Sequence, residues 1–70
     1  MKYLIVIEEA GTGFAAYAPD VPGCVATGAT RTDVERAMEG AIKFHVEGLL
    51  AEQLDLPAAH SYALYMDVTA

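Results

Sequence analysis

A small set of side chains in this sequence could do chemistry. Glu8, Glu9, Asp20 and Asp67 fall on strand-like runs or in a loop, and converging carboxylates are what two-metal phosphodiester cleavage requires. Their spacing argues against convergence. Adjacent strand residues point to opposite faces, which separates Glu8 from Glu9. Asp67 reaches them only if the last strand neighbours the first, and solvated strand ends are the expected role. Cys24, His45 and His60 are candidate metal ligands, but none stands in the short pairs that zinc sites use. His45 lies beside an apolar helical stripe, as a packed or interface histidine would, and His60 lies in a loop and is expected to be solvated. Cys24 opens a strand, where a small buried thiol is the default. No base adjacent in sequence activates it as a nucleophile. Tyr3, Tyr17, Tyr62 and Tyr65 could stack nucleic-acid bases. They lack the basic neighbours of such platforms, so packing in the core or a dimer interface is expected instead. The expectation is a protein that is not an enzyme, with no catalytic residue, metal or cofactor.

Charge narrows the partners. The net charge is -6, from ten acids against four bases, Lys2, Arg31, Arg36 and Lys43, which are scattered. Release of counterions from DNA or RNA needs a cluster of positive groups, so direct nucleic-acid binding is disfavoured. An acidic surface suits attraction to a basic partner. The apolar run Tyr3–Ile7 is too short for a secretory core or a membrane span, and a cytoplasmic location is expected.

These residues must be positioned by few elements. Seventy residues make one domain, residues 1–70. A chain this short buries only about 60% of its unfolded surface and needs a staple. One cysteine rules out an internal disulfide, and 54% apolar composition favours self-association as a homo-oligomer, a dimer or a tetramer. The first strand is expected over Tyr3–Glu9, apolar on both faces as in a covered strand. A glycine turn leads to a second strand, Phe14–Ala18. Pro22-Gly23 reads as the centre of a type II turn with Gly23 at positive φ, and a third strand follows over Cys24–Ala29. Thr30 is a good N-cap for a helix from about Arg31 to about Gln53. Its stripe of Val34, Met38, Ile42, Val46 and Leu49 recurs at spacings of three and four. Leu56-Pro57 breaks the helix, and a fourth strand is expected over Ser61–Val68.

The order β-β-β-α-β, with Gly13, Phe14, Ala16, Pro19, Asp20, Pro22, Gly23 and Cys24 matching the pattern G-[FY]-x-A-x-x-P-D-x-P-G-C, resembles the N-terminal domain of the HicB antitoxins. That resemblance implies an α+β fold like a truncated ribonuclease H: a four-stranded mixed sheet, strand order 3-2-1-4, with one helix on one face. It implies a partner, a HicA-like toxin that is small, basic and mRNA-cleaving. It makes Pro19, Asp20, Pro22, Gly23 and Cys24 the family turn motif. Full-length members add a DNA-binding C-terminal domain; the expectation here is the N-terminal domain without that appendage. The sequence thus points to an antitoxin or toxin-binding module that acts by occluding its toxin. The alternative is a free-standing oligomeric binding domain with an unknown small-molecule or protein ligand. The two-sided apolar pattern makes Tyr3, Ile5, Tyr17 and Tyr65 the candidate oligomer interface.

Overall fold

β-Branched and aromatic residues near the N-terminus build β1 (Val6–Ala10), which pairs antiparallel with β2 (Gly13–Tyr17), as β2 does with β3 (Val25–Gly28). A long helix, α1 (Arg31–Ala51), follows. This is a computed structural model, and it describes residues 1–69. The sheet order is β1-β2-β3, so the architecture is α+β with three antiparallel strands and one helix.

Pairing sets the strand limits more tightly than propensity does. Val6 faces Tyr17 at the end of the first ladder, so Tyr3–Ile5 extend the apolar run with no strand beside them. The second strand ends at Tyr17 rather than Ala18, because the Ala18 N–H donates to the Cys24 carbonyl across a turn. The third begins at Val25 rather than Cys24, whose N–H closes a turn to Val21.

The helix begins where its cap predicts. Thr30 is extended, and its hydroxyl accepts from the Asp33 N–H at 3.1 Å. It ends at Ala51, two residues before the expected Gln53. Gln53 takes a left-handed φ of 59°. Its N–H donates to Leu50 and the Leu54 N–H to Leu49, a Schellman closure that uses up the last carbonyls.

The helix lies on β3 and β2. It comes so close that a Cβ on Gly28 would stand 2.5 Å from the Val34 nitrogen, which is why β3 ends on a residue without one. The buried core is small: Ala16, Ala18, Val21, Cys24, Val34 and Met38, flanked by half-buried Tyr3, Ile5, Ile7, Phe14, Ala26 and Ile42. The C-terminal half of the apolar stripe, Val46 and Leu49, is only half-buried.

The expected fourth strand, Ser61–Val68, does not join the sheet. A strand exists only where a neighbour completes its hydrogen bonds, and among the described residues no strand pairs with this segment. Its strand-like alternation leaves the body instead as an exposed arm. The order 3-2-1 is present and the position of strand 4 is not.

Candidate protein-interaction site

The segment Ala18–Cys24 folds as two consecutive β-turns. Pro19 sits second in the first, closed by Val21 N–H donating to Ala18 at 3.1 Å, and Pro22 sits second in the next, closed by Cys24 N–H donating to Val21 at 3.2 Å. Each proline pre-sets the φ its position needs. Gly23 has φ of 86°, the value that the third position of a type II turn requires. Val21, at the junction, is fully buried and ties the loop to the core.

This loop presents one buried carboxylate. Asp20 Oδ2 accepts from the backbone N–H groups of His60 at 3.0 Å and Ser61 at 2.8 Å, and Oδ1 accepts from the Ser61 hydroxyl at 2.6 Å. His60 Nδ1 stands 3.2 Å from the same Oδ1. The Ser61 hydroxyl, then the Ser61 N–H, hold the Asp20 carboxyl below its ordinary 3.8, against the opposing effect of burial and with further help from His60. Hydrogen bonds to the charged form favour it. A second tie lies nearby, where the Tyr3 hydroxyl donates to the Pro57 carbonyl at 2.7 Å. Asp20 and Tyr3 together fasten the chain after the helix to the sheet.

His60 is solvated, as its loop position suggested, and it is also tied to the body. Its ring is exposed, but its backbone and Nδ1 are held by Asp20. Beyond Ser61 the arm carries Tyr62, Leu64, Tyr65, Met66 and Val68, all exposed, with Tyr65 fully so. Between β1 and α1 runs a groove of about 610 Å³, with Tyr3, Ile5, Ile7, Met38, Ile42 and Val46 in its walls.

The four candidate interface residues are divided. Tyr3 and Ile5 share the groove. Tyr17 is half-exposed on the opposite sheet face, beside Val25, and Tyr65 is on the arm. The carboxylates weighed for metal chemistry stay apart: Glu8 and Glu9 are exposed on β1, Asp67 is on the arm, and Asp20 is committed to residues 60 and 61. Among the described residues, no group of three or more His, Cys, Asp or Glu side chains is placed to hold a metal ion. Cys24 is buried with Sγ 3.9 Å from the Ala41 carbonyl oxygen, and desolvation pushes its thiol up. Among the same residues no helix is long and apolar enough to cross a membrane.

The clamp is the feature of this loop that sequence reasoning missed. Asp20 was legible as a turn residue, but its partners lie 40 and 41 residues away. The one available signal was the polar His60-Ser61 pair between a helix breaker and an apolar alternation.

Comparison with known proteins places this geometry. A profile described as the HicB_like antitoxin of bacterial toxin-antitoxin system matches residues 3–69. The chain belongs to the HicB-like antitoxin family. A curated relative of the HicB-like chain, an uncharacterized 14.9 kDa protein from the rep-hol intergenic region of Haemophilus phage HP1, is 36% identical over 67 residues. That match covers 96% of this chain and 50% of the phage protein. A chain of the solved HicA3 and HicB3 toxin-antitoxin complex superposes with a TM-score of 0.67 at 38% identity, covering 80% of this chain and 65% of that one. The HicB-like chain thus spans about half the length of its curated relative.

Proposed function

We propose that this HicB-like chain neutralises a small, basic, mRNA-cleaving toxin of the HicA type by binding it as a protein partner, without catalysis of its own. The observation that carries the reading is the 38% identity and shared fold with a chain of a toxin-antitoxin complex. The charge balance supports it. A net charge of -6, with exposed acids such as Glu35, Glu39 and Glu47 along α1 and Glu52 at its C-cap, would steer a basic partner during encounter. Affinity would then rest on apolar contacts, since exposed ion pairs contribute little. The same balance disfavours direct nucleic-acid binding, and the complex would form in the cytoplasm. In this reading the complete sheet has four strands in the order 3-2-1-4, the fourth forming on assembly.

Co-expression tests the proposal. A HicA-type toxin encoded beside this gene should arrest growth alone, and the HicB-like chain should restore growth and co-purify with the toxin. Persistent arrest with no co-purification would overturn the proposal and leave a free-standing oligomeric binding domain.

A further inference from the structure

We infer that the arm, residues 61–69, pairs with β1 of a second copy of this chain, in a reciprocal exchange that supplies each sheet with its fourth strand and fills each groove. The inference does not rest on the toxin-binding reading.

The arm has the pattern of a strand and no partner in its own chain. Tyr62, Leu64, Met66 and Val68 alternate with Ala63, Tyr65 and Asp67. Five large apolar side chains of this segment are exposed in the monomer. Such a run left in water is a template for pairing with another chain. The arm also makes the molecule too extended for its length. The radius of gyration is 14.0 Å and the longest dimension 50 Å, where a compact chain of this size has a radius of about 11 Å.

The receiving site is equally incomplete. Tyr3–Ile5 continue β1 beyond the last paired residue, Val6, and have no strand on either side. Among the described residues no strand pairs with the outer edge of β1. The groove lies on this side of the sheet, walled by Tyr3, Ile5 and Ile7 and by α1. A strand laid along β1 would direct every second side chain into it. The other free edge, β3, is shorter, at four residues against five. An arm of this length reaches about 30 Å when extended, enough to run the length of β1.

The clamp explains why the arm is delivered outward. Asp20 and Tyr3 fix its base at residues 57–61, so its direction is set before it meets a partner. Two docked arms also supply enough surface. The groove-facing side chains Tyr62, Leu64, Met66 and Val68 together bury about 300 Å² or more per arm, and with the receiving surfaces and both copies counted the total reaches the ~1,200 Å² at which specific interfaces begin. The exchange is isologous, as closed dimers are.

The full-length chain tests this directly. Light scattering at micromolar concentration should give twice the monomer mass. A sample mixing two differently labelled copies should show intermolecular NMR contacts between residues 62–68 and residues 3–7. Leu64→Pro, which removes an arm amide and fixes its φ, should halve the mass while the helical circular dichroism signal stays. A monomeric parent, arm contacts that are only intramolecular, or a Leu64→Pro protein that remains dimeric would each overturn the inference. So would arm contacts that appear only when a HicA-type toxin is added.

Discussion

The body and the arm of this molecule carry the same kind of apolar alternation and meet opposite fates. In β1 and β2, Ile7 faces Ala16 across a ladder, and both turn toward the helix. In the arm, Tyr62, Leu64 and Met66 alternate just as regularly and stay exposed. Alternation states which face a strand offers. It does not supply the neighbour, and here the body contains one for every strand except the last.

That contrast breaks most visibly in the core. Met38 is one of the few large side chains fully buried, and Met38→Ala should cost about 2–5 kcal/mol. Urea melts should show the loss at every protein concentration. An arm substitution such as Tyr65→Ala should behave differently, lowering the melting temperature only where the protein is concentrated enough to assemble.

Gly23 is next in size. At a φ of 86° a β-branched side chain is strained, and Gly23→Val should cost about 1–3 kcal/mol. Thermal melts that match the parent would show that the turn relaxes. Gly23→Asn should lose less, because asparagine tolerates that region.

Legibility followed distance along the chain. The Thr30 cap and the Pro22-Gly23 turn are local devices whose partners lie within three residues, and both were readable. The Schellman closure on Gln53 was not, because glutamine is an unusual residue for a left-handed position. The Asp20 clamp spans 41 residues to Ser61, and no spacing rule reports such a contact. The fourth strand was readable as a pattern, but its place in a sheet is not formed within the single chain, since that place depends on a surface outside the alternation itself. Of the interface candidates, Tyr3 and Tyr65 were chosen for being apolar on a second face. The structure gives Tyr3 a hydrogen bond to Pro57 and leaves Tyr65 bare.

The clamp joins body to arm, and its pH response sharpens the comparison. The Asp20 carboxyl is lowered from 3.8 by Ser61. Its contribution is therefore complete above that value and is lost as pH falls through the lowered one. Amide exchange at His60 and Ser61 should speed up below pH 3.8 while the core amides stay protected. Asp20→Asn should loosen the same two amides at neutral pH. If the core unravels with them, body and arm base are one cooperative unit.

The smallest effect concerns encounter with a toxin. Glu35 and Glu39 line the groove, so reversing them would mix two effects. Glu47→Lys with Glu52→Lys changes exposed charge outside it. Stopped-flow mixing with a HicA-type toxin should show slower association at low salt and no difference at high salt. A large change in dissociation rate would place the contact on the C-terminal half of α1.

The central claim is that this HicB-like chain works by binding a toxin. RNA cleavage by a purified HicA-type toxin, titrated with the full-length chain, tests it most directly. Cleavage should stop at an equimolar ratio, and the chain alone should leave the RNA intact. Cleavage that continues in excess chain, or RNA degraded by the chain itself, would contradict it.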